Sequence, residues 1–298
     1  MAVFSIYLLY KICEKLFNNK WISLLASFLL SSSLMFVQMS HFAKVWMPQL
    51  MVVLIAFYFI VILYQLEAAK AKNYILVGLA IGLALGTHVI GVLIYISFAV
   101  AHYLKNSSQK FKDIFFTNKY FWLVNLIIVF FYFLTLFLNP RGFHNYINRD
   151  GGILPNFNFL FESAAVVNGS ANNNLFLKVV GSFRNFGYYA NTLIEFEPIL
   201  VLLFIAGAFI LFLKERKKFY LITSFILIYY IGVSFAGLIS YYILPIIPFL
   251  ALIAGYGAYH LYEKIKAKIN QPAALTIIFF VLKIIFNKIY TLTTYQIY

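Results

Sequence analysis

The stretch MPQLMVVLIAFYFIVILYQL, residues 47–66, contains no charged residue. A helix crossing the hydrocarbon core of a bilayer needs about 20 mostly apolar residues, so this run reads as a membrane span. Further apolar runs lie on both sides of it, at 2–10 (a short one), 21–39, 74–87, 89–103, 120–138, 198–213, 219–238, 242–261 and 273–290. Together they predict an all-α fold, a polytopic transmembrane helical bundle of about ten spans. With 63% hydrophobic and only 11% charged residues, most of the chain would be insoluble outside a membrane.

The formal charge of +14 is better explained by topology than by nucleic acid. Sixteen of the 23 basic residues fall in alternate gaps between runs: Lys11, Lys15 and Lys20; Lys70 and Lys72; Lys105, Lys110, Lys112 and Lys119; Lys214, Arg216, Lys217 and Lys218; Lys264, Lys266 and Lys268. By the positive-inside rule these gaps share the cytoplasmic side. The alternation requires residues 74–103 to cross twice, with a tight turn at Gly86-Thr87-His88 and two short crossings. The run Ala2 to Tyr10 lacks the basic flank and cleavage site of a signal peptide. It is short for a span, so the chain is expected to be an N-terminally truncated fragment.

Four of the nine acidic residues, Asp150, Glu162, Glu195 and Glu197, lie in one polar stretch, 139–197. This divides the chain into an N-terminal transmembrane block (1–138), an outer-face loop (139–197) and a C-terminal transmembrane block (198–298). Loops this long are usually functional or disordered, and this one is too aromatic for disorder. Within it, 174–189 reads as an amphipathic helix, with Phe176, Val179, Val180, Phe183 and Phe186 at three- or four-residue spacing, suited to lie in the interface. Glu195 and Glu197, just before a span, are expected to favour its N-terminus.

Several residues invite a chemical reading. Lys44 and His41, on the short outer turn before Trp46, are placed to hold a lipid phosphate; a snorkelling lysine beside a belt tryptophan is the alternative. His88 either meets a phosphate or sugar hydroxyl or caps a helix turn. Arg141, His144, Arg149 and Asp150 lie within ten residues, with Glu162 beyond. There a carboxylate can act as general base while cations neutralise a leaving phosphate; a mutually paired, solvated charge cluster is the alternative. Tyr241-Tyr242-Ile243-Leu244-Pro245-Ile246-Ile247-Pro248 predicts an interfacial anchor leading into a kinked helix start. The lone Cys13 and the scattered histidines build no metal site of protein ligands. No cofactor is evident, and a divalent metal held mainly by substrate phosphate is the form compatible with this sequence.

The Tyr-Tyr-Ile-Leu-Pro-Ile-Ile-Pro string resembles the "Arg-Tyr-x-Leu-Pro-x-x-Pro" region of GT-C glycosyltransferases, in the broad family of protein mannosyltransferases and lipid A aminoarabinose transferases. Ser40-His41-Phe42-Ala43 is similar to that family's "Ser-Arg-Phe-Ala" turn, and Gly78 to His88 to its "Gly-Leu-x-x-Gly-Leu-Ala-x-x-Thr-Lys". The resemblance implies a transferase that moves a sugar from a polyprenyl-phosphate carrier to an acceptor hydroxyl on the outer face, with inversion at the anomeric centre. It implies a base on an aspartate of the first outer loop, expected to precede Met1, which leaves Asp150 and Glu162 as the carboxylate candidates here and the fragment itself inactive. Tyr241 stands where the family has arginine, so donor-phosphate binding falls to Lys44, His41, Arg141 and His88 beside Tyr241. His144, Arg149 and Tyr242 are the acceptor or interface candidates. The expected partners are membrane lipids and a polyprenyl-phosphate-linked sugar donor, not nucleic acid, in a bacterial or archaeal cell membrane. A lipid-linked saccharide flippase or transporter, an O-antigen polymerase or ligase type of protein, and a non-enzymatic scaffold are the competing readings. A transporter would place more charge at mid-membrane.

Overall fold

The structure, a computed structural model, describes residues 1–42, 45–138, 175–236 and 239–266. All regular structure among the described residues is helical. Helices α1 (Ala2–Phe17) and α2 (Lys20–Ser31) form a hairpin through two asparagines. Asn18 adopts the left-handed conformation (φ 48°) and donates its N–H to Glu14 O at 2.9 Å, closing α1. Asparagine tolerates that conformation better than most residues. The Asn19 side chain accepts from the Trp21 and Ile22 N–H groups at 2.9 and 3.3 Å, which caps the start of α2.

The run 21–39 is not one straight span. It breaks at Ser32 and Ser33, and α3 (Leu34–Ser40) leaves α2 at 62°. Serines permit the break because they satisfy backbone groups that it frees. The Ser31 and Ser32 hydroxyls each donate to Phe28 O at 2.9 Å, and the Ser33 hydroxyl accepts from Phe36 N–H at 3.2 Å.

Next come α4 (Trp46–Gln65), α5 (Ala71–Thr87), a 3-10 turn at Val89–Ile94 and α6 (Tyr95–Lys105). Tyr74, near the start of α5, has its hydroxyl 3.2 Å from Nδ1 of His102, near the end of α6. The chain therefore reverses around His88, as the alternation of basic gaps required. The short α7 (Phe111–Phe115) precedes α8 (Lys119–Leu138). The amphipathic segment forms α9 (Leu175–Phe196), which extends past the expected end at 189. It turns into α10 (Pro198–Lys214) through a bend of 108°. Finally, α11 (Arg216–Ala236) is followed by a 3-10 segment, Ser240–Ile246, that contains Pro245 and runs into α12 (Ile247–Lys266). That is the kinked start the Tyr-Pro string predicted.

Among the described residues three stretches, Trp46–Gln65, Lys119–Leu138 and Ser240–Lys266, are long and apolar enough to cross a membrane. The number rises to five if each of the two bent pairs is one span. The last of the ten expected runs, 273–290, lies outside the described residues. With its apolar helices the chain is an integral membrane protein.

Helices α4 and α12 form the centre. Leu50, Val53, Ala56, Phe57 and Ile60 of α4 and Ile247 to Ala254 of α12 are buried. The Phe57 ring meets Phe249 edge-on at 4.8 Å, and Phe249 meets Phe225 of α11 at 4.6 Å. Between lipid-embedded helices the hydrophobic drive is absent, so close backbone approach and dispersion must hold the contact. Glycines supply it. A Cβ on Gly257 would stand 2.5 Å from Gly207 Cα of α10, and one on Gly255 would stand 2.7 Å from Ala26 N of α2. On α5, Gly78, Gly82 and Gly86 recur every four residues and face Ile127, Phe131 and Thr135 of α8 in the same register.

That register predicts graded tolerance. Alanine at Gly82 would bring its Cβ to 2.5 Å from a Phe131 ring carbon, whereas at Gly86 the nearest atom is Thr135 Oγ1 at 3.6 Å. Gly82→Ala is expected to destabilise by about 1–3 kcal/mol through overpacking, and Gly86→Ala by no more than about 0.5 kcal/mol. Thermal unfolding of the two variants in nanodiscs checks the order.

The basic turns gather at one end of the bundle. There Lys105 donates to Leu66 O, Gln65 donates to Lys15 O, and the Lys218 ammonium pairs with Glu215 and lies 5.4 Å over the Phe17 ring. Lys214 Nζ stands 3.3 Å from His260 Nδ1.

Candidate functional site

The opposite end is built from the α3–α4 turn, the His88 turn, the α9–α10 bend and the Ser240–Ile246 segment. Trp46 opens α4 there and is 5% exposed. Three rings surround it: His88 at 4.8 Å, Tyr242 at 4.6 Å and Tyr241 at 5.7 Å between centroids. Sequence distance had kept these residues apart, and the fold brings them onto one indole.

Local structure explains how each ring is presented. His88 ends α5 in an extended conformation, and its Nδ1 accepts from Ile90 N–H at 3.3 Å. Burial pushes its imidazole below the usual histidine range. A neutral ring that accepts at Nδ1 carries its proton on Nε2, which leaves one N–H donor. His88 is thus both the turn cap and a polar group of the aromatic cluster, so the two readings of it are compatible. Tyr241 and Tyr242 sit on the 3-10 segment, with their own rings 5.5 Å apart and nearly perpendicular. The Tyr242 carbonyl accepts from the buried Tyr229 hydroxyl at 3.1 Å, which ties the segment to α11.

Beside the cluster lies an open depression of about 560 Å³, lined by His41, Ser40, Phe42, Val45 and Met47 with the first residues of α1. His41 is exposed there at the end of α3. Lys44, on the same turn, lies outside the described residues, as do Arg141, His144, Arg149, Asp150 and Glu162.

Glu197 departs from expectation. It occupies the N-cap position of α10, yet its side chain makes no capping bond to that helix. Instead the carboxylate, buried with 6% exposure, accepts from the Ser33 hydroxyl at 2.6 Å and from Met35 N–H at 2.9 Å. It caps α3, 164 residues away in sequence. Burial pushes its carboxyl above the ordinary range, and the donors from Ser33, Met35 and Leu34 draw it partly back. No local pattern marks such a pairing; the signal available was Ser33, three residues before Phe36 in an N-cap position. Among the described residues no group of three or more His, Cys, Asp or Glu side chains converges to hold a metal.

Residues 1–137 match the family model of the dolichyl-phosphate-mannose-protein mannosyltransferases. The resemblance read from Ser40 to Ala43 and from Gly78 to His88 falls inside this region. Among solved structures the chain is similar to ArnT from Cupriavidus metallidurans bound to undecaprenyl phosphate, at 18% identity and a TM-score of 0.53. The match covers 86% of this chain and 44% of that one, so the chain spans less than half the length of that protein. At such identity the likeness carries the fold. No curated protein matches the chain.

Proposed function

We propose that this chain forms the membrane-embedded part of a glycosyltransferase that moves a sugar from a polyprenyl-phosphate carrier to an acceptor hydroxyl on the outer face. The observation that carries the reading is the convergence of His88, Tyr241 and Tyr242 on Trp46, at the end of the bundle opposite the basic turns. Amphipathic rings at headgroup depth suit a ligand that is part lipid, part sugar. His88, with one N–H to donate, is suited to a sugar hydroxyl or phosphate oxygen. Lys44 and Arg141 are the cations proposed for the donor phosphate, with His41 as a further phosphate-binding side chain.

The reaction needs an acceptor hydroxyl to attack the anomeric carbon while a carboxylate takes its proton. The bond to the carrier oxygen breaks, and its electrons pass to the phosphate. Fixed cations and dipoles aimed at that phosphate stabilise the developing charge. Asp150 and Glu162 are the carboxylate candidates within this chain, and His144 and Arg149 those for the acceptor side. The basic turns, which the positive-inside rule assigns to the cytoplasm, support this sidedness.

The test is transfer by the full-length protein in its own membranes, offered radiolabelled polyprenyl-phosphate hexoses and pentoses. Label is expected to move to a lipid, glycan or protein acceptor. Facilitated movement of the lipid-linked sugar across the bilayer without transfer would instead favour a flippase.

A further inference from the structure

We propose that Glu197 is a positioning residue: its carboxylate latches the α9–α10 bend to the start of α3 and so sets where His41, at the end of that helix, stands relative to the ring cluster on Trp46 to meet the donor phosphate. This role rests on the transferase reading above. Hydrogen bonds from α9 and from the bend reach the chain on both sides of the aromatic cluster. On one side, Ile239 N–H donates to the Tyr189 hydroxyl of α9 at 3.5 Å, and Asn185 of α9 donates to Ser234 O at 2.8 Å. These bonds tie α9 to the chain that leads into Tyr241 and Tyr242. On the other side, Glu197 grips Ser33 and Met35 at 2.6 and 2.9 Å, at the head of the helix that ends one residue before His41 and leads on to Trp46. One short element thus holds the two halves of the cluster in register.

A carboxylate is a costly choice for a simple tie. A buried polar group costs free energy unless its hydrogen bonds are made, and the two bonds accepted from Ser33 and Met35 hold Glu197 to one place on α3. Register is what α3 lacks by itself. It is only seven residues long, and the serine break before it frees it from the direction of α2. Its apolar anchors, Met35 and Phe36, fix its depth in the core, and the capped N–H groups fix its rotation.

Two measurements test the latch. Spin labels at Val37 and Ile194, both exposed, report the distance between α3 and α9 in nanodiscs. Donor kinetics in membranes report the site. In Glu197→Ala the distance distribution is expected to widen at least twofold, and donor KM to rise at least tenfold with kcat held within threefold. Glu197→Gln, whose amide oxygen still accepts, is expected to keep KM within threefold of wild type. Should the alanine variant not fold, Glu197→Gln combined with Ser33→Ala weakens the same contact and takes its place. An unchanged distribution in a folded variant overturns the proposal, and so does a widened distribution with unchanged KM. A wild-type protein that transfers no sugar sinks the transferase reading separately, and the distance distribution still decides whether the latch exists.

Discussion

Replacing Gly257 with leucine is expected to leave no folded protein. The α10–α12 crossing has no space for any side chain. A Cβ at Gly257 would lie 2.5 Å from Gly207 Cα and 3.0 Å from Leu203 O, and one at Gly207 would run into the Ile253 carbonyl. These are backbone atoms, so no rotamer change relieves the clash and the helices must separate. Separation would open the contacts of α12, the most buried of the three long apolar stretches, with both α10 and α2. Overpacking usually costs about 1–3 kcal/mol and sometimes more; here the upper end is a floor, against a total stability of about 5–15 kcal/mol. A control separates this from a general intolerance of glycine replacement. Gly187, on α9, has nothing within 4 Å of its Cβ position, and Gly187→Ala should gain roughly 0.5–1 kcal/mol of helix propensity. Yield of monodisperse protein and thermal midpoint in detergent distinguish the two; a folded Gly257→Leu protein would contradict the packing described here.

Trp46→Ala is expected to lower transfer from the polyprenyl-phosphate donor at least tenfold while the bundle still folds. The indole is the common neighbour of His88, Tyr241 and Tyr242, and an aromatic pair contributes about 0.5–1.5 kcal/mol beyond burial. Three such pairs sum to roughly 1.5–4.5 kcal/mol. If only the lower part of this is expressed as lost preorganisation, the rate falls about tenfold, since each 1.36 kcal/mol is a factor of ten. Trp46→Phe keeps a ring in the same place and should retain most activity. The comparison of kcat/KM for the two variants, with thermal midpoints measured alongside, checks the claim. Equal activity in both would remove the cluster from the site.

The fold was largely legible because its signals are local. Apolar length and the positions of lysines marked the long helices, and Gly86 to His88 marked the reversal between α5 and α6. The kink before α12 followed from Pro245 and Pro248. What was not legible depends on contacts between distant elements. Nothing near Glu197 points to Ser33, so the expectation that it capped its own helix was reasonable and wrong in its target. The break in 21–39 was hidden because Ser31, Ser32 and Ser33 are small enough to pass for part of a span. For the site, the sequence named His88, Tyr241 and Tyr242 as separate candidates, but only packing could show that one indole joins them.

The seam between α5 and α8 carries a practical consequence. Among the described residues α8 buries only Phe121 and Val124; its ties include the glycine register, the Tyr95–Asn125 hydrogen bond of 2.8 Å and the stacking of Phe121 on Phe98 and of Tyr120 on Tyr74. Its outer face of Leu126, Phe130, Phe133 and Phe137 is exposed among the described residues, an apolar surface suited to acyl chains. Extraction into a short-chain detergent removes those chains and leaves the α5 seam and the ring contacts at the start of α8 to hold twenty residues. The choice of detergent, and the annular lipid carried through purification, thus decide whether this helix stays with the bundle.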